Sequence, residues 1–380
     1  MKKITLLFIC LFLHFSGEAQ TTDYVSGLVE VRSLELDGTT IYATGFNNIY
    51  SIDTTNPSPN GVTIYTTPAN YFIYKTVKLG NFLYFLQENY NETTDTFLGT
   101  EIVRLDLTNL AAGITVLTST TNFISSIALN GSKLYFTEEI PIDPMNPDVF
   151  NVNLNSINVS DAVPTAIVEY ATLTLGVVQD LEFRNNIIYF SDIDSNEILT
   201  LDTSNASATL QVFVPSVSFN RGLFISGNDD LYMCNGNKAQ KVDAITSGTL
   251  ELVGENTTYQ DTNNGNPFFA NFRDVVLIGN TLYLALLNQG RIVTLTDNTL
   301  STEDFTNQNK QLNIYPNPAN NEFTIQTNAD ILGTKIYNVL GKLIMETTSK
   351  TINISDLNAG VYLVNITTNT KSFTKKLVKN

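Results

Sequence analysis

The sequence predicts an all-β protein with two folded parts, a six-bladed β-propeller followed by a small Ig-like antiparallel β-sandwich. Three observations lead to this prediction. A pattern of short apolar strands around a tight turn recurs six times within residues 24–297. The copies show no helical periodicity between their strands. A polar stretch then precedes a last region with its own alternating apolar runs. We therefore expect the propeller at 20–298, a linker at 299–311 and the sandwich at 312–380.

Each repeat begins with an apolar strand, a turn rich in Gly, Asn or Asp, and a second strand that carries a tyrosine. The six tyrosines are Tyr42, Tyr84, Tyr135, Tyr189, Tyr232 and Tyr283. Their spacings are 42, 51, 54, 43 and 51 residues. A third strand ending in Asp and a weaker fourth strand follow in most copies, as at 49–53 and 62–65. Four strands at a period of about 40–50 residues are typical of a propeller blade.

The sixth repeat has no good fourth strand after Leu295, whereas residues 24–29 precede the first repeat and have no other role. A ring with an open blade exposes unpaired strand edges. We therefore expect the segment at 24–29 to complete the sixth blade. The alternative is a loose leader segment before the first blade.

The amino terminus predicts a secretory signal peptide at 1–19. Lys2 and Lys3 precede an apolar stretch at 4–15, and Gly17 and Ala19 place small residues before a cleavage point between Ala19 and Gln20. No later apolar stretch reaches the roughly 20 residues that span a bilayer, so we expect no transmembrane segment.

Cleavage would remove Cys10 and the only histidine, His14. Cys234 would then be the only cysteine, so no disulfide could form within the chain. Serine or cysteine nucleophiles paired with histidine, and metal centres with histidine ligands, are excluded from the mature chain. The formal net charge of -16 also argues against nucleic acid as a partner, because phosphate binding requires a basic surface.

The carboxyl-terminal region carries a set of short motifs in a fixed order: Tyr315, Pro316, Asn317 and Pro318, then Gly341 and Lys342, then Gly360, Val361 and Tyr362, and finally Lys375 and Lys376. This region resembles the type A C-terminal sorting domain of the type IX (Por) secretion system of Bacteroidetes bacteria. The resemblance implies export by the Sec machinery to the periplasm, and then by the type IX translocon to the extracellular space or outer cell surface. Residues 310–380 have eight lysines and four acidic residues, a basic balance on an otherwise acidic chain.

The repeats resemble the NHL, YWTD and gluconolactonase-like families of six-bladed propellers. The fourth repeat, with Tyr189 and Asp192 before a third strand at 198–202, shows the resemblance best. These families include binders, scaffolds and metal-dependent hydrolases, so the resemblance indicates the fold more than the activity. We favour a binding module that uses the channel rim for an unknown extracellular ligand or protein. The alternative is a calcium-dependent hydrolase or lyase that uses carboxylates of the rim.

Propeller geometry brings the starts of the first strands and the ends of the second strands to one rim of the channel. The candidate ligand residues there are Arg32, Lys75, Glu88, Glu138, Gln179, Asp180, Asp192, Arg221, Asn235, Arg273, Asp274 and Asn288. The alternative role for these charges is to form ion pairs between blades. No pair of them is distinguished by a catalytic motif, and we assign no catalytic residue.

A calcium ion is the one cofactor that the sequence suggests. Asp192, Asp194 and Asn196 have the alternating oxygen spacing of a calcium loop, although Glu197 stands where an EF-hand has glycine. A polar loop between strands has the same composition, and both interpretations stay open.

Overall fold

In a computed structural model, the structure describes residues 19–57, 59–143, 146–245, 250–263, 266–298, 312–327, 331–338, 342–368 and 372–380. The chain divides into two compact units after Asn298. Three predicted features lie outside the described residues: residues 1–18 of the signal peptide, the linker at 299–311 and the motif residue Gly341. No helix in the described part of the chain is long and apolar enough to cross a membrane.

The first unit consists of short strands, with two single-turn 3-10 helices at Leu110–Ala112 and Asp243–Ile245. Its strands are β1 (Ala19–Gln20), β2 (Thr22–Val25), β3 (Ser33–Asp37), β4 (Thr40–Thr44), β5 (Asn48–Asp53), β6 (Val62–Thr66), β7 (Tyr71–Leu79), β8 (Phe82–Asn91), β9 (Thr96–Asp106), β10 (Ile114–Thr120), β11 (Phe123–Asn130), β12 (Lys133–Asp143), β13 (Asn146–Asn158), β14 (Ile167–Leu173), β15 (Val178–Arg184), β16 (Ile187–Asp192), β17 (Glu197–Asp202), β18 (Gln211–Val214), β19 (Asn220–Ile225), β20 (Leu231–Asn235), β21 (Lys238–Val242), β22 (Leu250–Glu255), β23 (Gln260–Asn263), β24 (Asn266–Phe269), β25 (Phe272–Ile278), β26 (Thr281–Leu286) and β27 (Arg291–Thr296).

These strands form six sheets, numbered here in chain order. Five of them have four antiparallel strands, and sheet 5 has a fifth strand, β1, which pairs parallel to β22. Sheets 1 to 5 are β3–β6, β7–β10, β11–β14, β15–β18 and β19–β22, and sheet 6 is β25–β27 with β2. The hairpin of β23 and β24 lies between sheets 5 and 6 in the chain. The turn between the first two strands of every sheet holds one residue with positive φ, namely Gly38, Gly80, Gly131, Asn185, Asp229 and Gly279. Glycine, asparagine and aspartate adopt this conformation at least cost, which explains the composition of the repeated turns.

The first strands of the six sheets contact one another in a closed cycle, from β3 through β7, β11, β15, β19 and β25 back to β3. A separate cluster of buried apolar side chains fills each interface between neighbouring sheets. The repeated tyrosine of each sheet packs into the cluster shared with the next sheet, and Tyr283 of sheet 6 packs against sheet 1. The sequence repeat is therefore a repeat of one interface, in which a large aromatic side chain buries much of its surface.

Residues from the amino terminus complete sheet 6. Thr22 pairs with Thr294, Asp23 with Val293 and Val25 with Ile292. The sequence predicted such a strand at 24–29, but the observed strand lies earlier because the chain turns at Gly27, where φ is 79°. The pairing covers the edge that β27 would otherwise expose.

The second unit has seven strands in two sheets. They are β28 (Leu312–Tyr315), β29 (Glu322–Thr327), β30 (Ile331–Asn338), β31 (Leu343–Thr347), β32 (Thr351–Asn353), β33 (Gly360–Thr368) and β34 (Ser372–Lys379). One sheet has the order β28-β29-β32 and the other β31-β30-β33-β34. Both sheets contribute to one buried cluster, which includes Phe323 from the first and Ile336 and Val364 from the second. The alternating apolar runs of the sequence thus supply one common core.

The Tyr-Pro-Asn-Pro motif of this unit lies against its last strand. The Asn317 side chain donates from Nδ2 to the Lys376 carbonyl at 2.7 Å and accepts at Oδ1 from the Val378 amide at 2.9 Å. The two peptide bonds before Pro316 and Pro318 are cis. One asparagine side chain therefore satisfies a donor and an acceptor at the edge of β34, where prolines cannot pair as strand residues.

Candidate ligand-binding site

Three buried charges occupy the space inside the cycle of first strands. Lys75 Nζ lies 2.6 Å from Asp180 Oδ1 and 3.7 Å from Asp274 Oδ2. The three side chains come from β7, β15 and β25, so one lysine links alternate strands of the cycle. This arrangement is the interblade ion pairing that the sequence left as an alternative to a ligand site.

Both aspartates also accept hydrogen bonds from backbone amides. Asp180 Oδ2 accepts from the Leu223 amide and Asp274 Oδ2 from the Leu34 amide, each at 2.8 Å. A β-bulge interrupts the pairing of the first two strands beside each aspartate. The amides of Leu181 and Val275, next to these bulges, donate to Asp180 Oδ1 and Asp274 Oδ1 at 2.8 Å each, because a bulge leaves backbone groups unpaired and a carboxylate is a strong acceptor. The two side chains therefore join neighbouring first strands as well as balancing Lys75.

The pKa values of this cluster follow from burial and from mutual charge. Burial raises the pKa of Asp274 to about 6, with Lys75 opposing the shift and Asp180 adding to it. Burial by itself lowers the pKa of Lys75, but the charges of Asp180 and Asp274 outweigh it and raise that pKa. Lys75 is therefore protonated throughout the physiological range, whereas Asp274 titrates at a higher pH than an ordinary aspartate.

Beside this cluster, Arg32, Arg273 and Gln179 line a polar pocket, and Arg221 joins them through a hydrogen bond to Gln179. We call these four residues the arginine mouth. Gln179 Oε1 accepts from Arg221 Nη1 at 3.0 Å and from Arg273 Nη1 at 2.7 Å. Burial and the nearby charge of Arg221 lower the pKa of Arg273 to about 10. Among the described residues, neither of these two arginines forms an ion pair with a carboxylate. Two guanidinium groups therefore share one neutral acceptor, and the charges of Asp274 and Asp180 offset part of the lowering of the Arg273 pKa.

Arg32 reaches the mouth from another side and is held by aromatic rings. Its guanidinium lies 4.7 Å from the centre of the Phe46 ring and 4.9 Å from that of Tyr74, and it pairs with Glu30 at 3.2 Å. The polar pocket beneath has about 10 Å³ available to the centre of a water-sized sphere. That volume is about enough for one water molecule.

Two predicted rim glutamates are placed differently from each other. Glu88 is buried, and burial raises its pKa although a hydrogen bond from Tyr74 opposes the shift. Glu138 accepts from Thr120 Oγ1 at 2.6 Å, from Asn122 Nδ2 at 2.9 Å and from Asn155 Nδ2 at 2.6 Å. Glu88 therefore lies near the mouth, whereas the Glu138 oxygens are occupied by partners from sheets 2 and 3.

The predicted calcium loop is held together by hydrogen bonds to backbone amides. The Asp192 carboxylate accepts from the amides of Gly176 at 2.9 Å, Asp194 at 3.0 Å and Ser195 at 3.3 Å. Asp194 Oδ2 accepts from the Val177 amide at 3.1 Å. A Cβ at Gly176 would lie 2.4 Å from Asp194 Cβ, so the loop closes tightly on that glycine. In the described residues, no group of three or more His, Cys, Asp or Glu side chains is arranged to hold a metal ion.

The two asparagines of the predicted rim also have local roles. Asn288 adopts a left-handed conformation, with φ of 63°, in the turn between β26 and β27. Asn235 Nδ2 donates to Gln240 Oε1 at 2.6 Å. The structure thus brings together six predicted residues around one pocket, Arg32, Lys75, Gln179, Asp180, Arg273 and Asp274. Arg221 is bonded to Gln179 and Glu88 lies near Arg32, whereas the remaining predicted residues are apart from this group.

Sequence reasoning missed two carboxyl groups deeper inside the cycle, Glu35 on β3 and Glu182 on β15. They line a cavity of about 170 Å³ together with apolar side chains. Burial raises the pKa of Glu35 to about 8, partly offset by Lys75 and by a hydrogen bond from the Lys78 amide. Burial raises the pKa of Glu182 well above its usual range. Strand alternation could have found them, since Glu35 follows Ser33 and Glu182 follows Asp180 at a spacing of two.

Comparison with known proteins agrees with both units. Residues 313–380 match the secretion system C-terminal sorting domain. The chain carries the signature of proteins exported by the type IX system in this last unit. No curated protein matches the sequence.

Solved structures that resemble the chain are propeller-type proteins. A gluconolactonase from Xanthomonas campestris is 10% identical with a TM-score of 0.54, over 74% of this chain and 90% of its own. A luciferin-regenerating enzyme is 12% identical with a TM-score of 0.51, over 71% and 92%. A protein of unknown function from Bacteroides thetaiotaomicron is 13% identical with a TM-score of 0.52, over 73% and 72%. At these identities the similarity concerns the fold alone.

Proposed function

We propose that this chain is a six-bladed β-propeller binding protein, exported by the type IX secretion system, that holds an anionic group of its ligand at the arginine mouth. The match of residues 313–380 to the sorting domain supports the export route. The closed cycle of six sheets supports the blade number. The released or surface-attached protein would meet its ligand outside the cell.

The observation that carries the binding role is that two guanidinium groups of the mouth share a neutral amide oxygen and not a carboxylate. Arg221 and Arg273 share the single neutral oxygen of Gln179, and the lowered pKa of Arg273 reflects burial beside another positive charge. A carboxylate or phosphate at this position would accept charge-assisted hydrogen bonds from the planar guanidinium groups. The mouth is therefore complementary to an anion.

The depth of the pocket indicates how the ligand lies. Space for about one water molecule beneath the mouth means that the ligand lies across the opening and does not enter the cycle. The carboxylates below, Asp180 and Asp274, already accept from Lys75 and from backbone amides. They hold the sheets together and are poorly placed for acid–base chemistry on a ligand, which favours binding over the hydrolase alternative.

The proposed domain arrangement follows the division of the chain. A signal peptide at 1–19 would be cleaved by the Sec pathway, and the propeller would occupy 20–298. After a linker at 299–311, the two sheets of residues 312–380 would form an Ig-like sandwich that the type IX translocon recognises. The shared core around Phe323 and Ile336 supports a sandwich of two sheets.

Titration of the full chain with citrate and with hexaglutamate, followed by calorimetry, tests the anion site. Arg221→Gln and Arg273→Gln should each weaken binding by about tenfold or more, since a hydrogen bond to a charged group contributes about 1.5–3 kcal/mol. Arg104→Gln is the matched control, because Arg104 stacks on Phe82 away from the mouth. Binding should also fall as salt rises. Equal binding by wild type and both mouth variants, or no binding to either probe, would overturn the proposal.

A further inference from the structure

A second concave site lies between sheets 5 and 6, and the arginine mouth does not account for it. Its volume is about 580 Å³, and its lining includes Phe219, Phe268, Phe269, Asn235, Asn237 and Lys238. Ligand pockets of proteins typically span about 300–1,000 Å³. Asn235 pairs with Asn220, the residue before Arg221, so this pocket opens at the same end of sheet 5 as the mouth. We call it the phenylalanine pocket.

Three phenylalanine rings are exposed in this one concavity. Phe219 is 59% exposed, Phe268 41% and Phe269 39%. Single exposed apolar residues are ordinary, but a contiguous group in a pocket marks a binding surface. Phe268 and Phe269 belong to the hairpin of β23 and β24, which is part of none of the six sheets.

The base of that hairpin is firmly held, so its phenylalanines are presented on a fixed support. Asn256 Nδ2 donates to the carbonyls of Tyr259 at 2.8 Å and Ala270 at 2.9 Å. The Ala270 amide donates to the Tyr259 carbonyl at 2.9 Å. The burial of Ala270 and Phe272 already anchors the hairpin, so the exposed Phe268 and Phe269 at its base are not needed to hold it in place.

Phe219 provides an independent sign of a binding role. Its φ is 55°, in the left-handed region that favours glycine and asparagine and is unfavourable for a bulky side chain. Such outliers cluster at ligand-contacting positions. Glycine or asparagine would adopt this backbone conformation at lower cost, yet the residue is an exposed phenylalanine.

The polar groups of the pocket define the chemistry of its ligand. Asn235 Nδ2 is occupied by Gln240 Oε1 at 2.6 Å, and Asn237 Nδ2 by the Asn256 carbonyl at 3.0 Å. Among the described residues, each of these amides keeps its carbonyl oxygen and a second N–H without a partner, and the Lys238 ammonium adds further donors. The ligand therefore needs both hydrogen-bond donors and acceptors of its own, together with apolar faces for the phenylalanine rings.

We propose that the phenylalanine pocket binds a neutral saccharide chain. A sugar ring combines an apolar C–H face, which suits the electron-rich face of an aromatic ring, with hydroxyl groups that donate and accept hydrogen bonds. An acyl chain would leave the amide oxygens unpaired at a cost, and a polyanion would find only Lys238 as a positive group in the lining. The volume accommodates more than one sugar unit, which favours an oligosaccharide over a free monosaccharide.

Saturation-transfer NMR and calorimetry on the full chain test this proposal with cellohexaose, xylohexaose, mannohexaose and maltohexaose as probes. At least one should bind, and Phe268→Ala should weaken its binding at least about tenfold, or about 1.4 kcal/mol. Phe219→Asn removes a second ring while suiting the left-handed backbone, so it should lower the affinity without lowering the melting temperature. Leu98→Ala, at a residue 49% exposed on sheet 2, is the control and should bind normally.

Saccharide binding at the phenylalanine pocket can be tested separately from anion binding at the arginine mouth. Arg221→Gln should leave saccharide binding unchanged, and Phe268→Ala should leave citrate binding unchanged. The proposal is overturned if none of the four probes binds at millimolar concentration. It is also overturned if both phenylalanine variants bind as tightly as wild type.

Discussion

Replacing Lys75 by methionine tests whether the buried charges inside the cycle hold the sheets together. Lys75 is the only cation within 4.0 Å of Asp180 and Asp274 among the described residues. Methionine keeps most of the side-chain volume and removes the charge. Both carboxylates would then remain buried without their ion-pair partner, so the variant should be strongly destabilised.

The size of the effect should depend on pH. Removing one partner of a buried ion pair costs about 3–5 kcal/mol. Asp274 has a raised pKa in the folded protein, about 6. Its ionisation therefore disfavours folding, with a cost that grows as pH rises from the unfolded pKa and is complete above the folded pKa. The pKa of Lys75 is raised, so its contribution is fully present below its unfolded value and constant across this range. Lys75→Met should cost about 4 kcal/mol near pH 8 and about 1–2 kcal/mol less near pH 5, where Asp274 is protonated.

Cys234 provides a probe for the first unit alone. It is fully buried, burial raises its pKa well above the usual range, and the predicted signal cleavage removes the other cysteine. Pulsed thiol labelling in urea therefore follows the opening of the propeller unit. Lys78→Met is the control: Lys78 Nζ pairs with the exposed Asp37 at 2.9 Å, and such a pair contributes about 0–1 kcal/mol. A loss below about 1 kcal/mol for Lys75→Met, or an equal loss at both pH values, would refute the reasoning.

Three other predictions concern the channel, the ring and the export route. Glu35→Gln should stabilise the protein by about 2–4 kcal/mol at about pH 9 and by little below about pH 4.5. The reason is that the pKa of Glu35 is raised to about 8, so its ionisation disfavours folding as pH rises between these values. A difference in urea midpoint that does not change with pH would contradict this. A chain that begins at Val31 lacks the partner of β27 and should melt at lower temperature and aggregate, whereas an unchanged melting curve would show that the closing strand contributes nothing. A chain without residues 312–380 should accumulate in the periplasm of its host, and its appearance in the medium at normal levels would rule out the sorting role of this unit.

The architecture was predictable because one interface is used six times. Tyr42, Tyr84 and their equivalents recur at a blade-like spacing since each fills the same gap between sheets. The lack of a fourth strand after Leu295 likewise predicted a closing strand, and pairing energy at an open edge explains why the chain supplies one. The bounds of this closing strand were not predictable in the same way. The apolar pattern indicated 24–29, whereas the strand ends before the turn at Gly27.

The site was predictable only where it lies on regular strands. Asp180 and Asp274 occupy equivalent places in two repeats, so their meeting inside the cycle followed from the repeat itself. The phenylalanine pocket was missed because Phe219 lies in a loop and Phe268, almost 50 residues later, lies in a hairpin outside the repeat, so that the periodicity applies to neither. Asp192 and Asp194 suggested a calcium site because their spacing in the sequence is that of metal ligands. The same spacing occurs where carboxylates accept hydrogen bonds from the backbone amides of a tight loop.

The closing strand also determines how the first unit responds to tension. β27 is hydrogen-bonded on both sides, to β26 and to β2, and the chain leaves it at Thr296, shortly before the second unit begins. A pull on the carboxyl-terminal unit loads β27 along its length, so two ladders must shear together before the strand can move. An edge strand would instead peel away one bond at a time. β27, the last strand before the second unit, is thus held in place by residues from the opposite end of the chain.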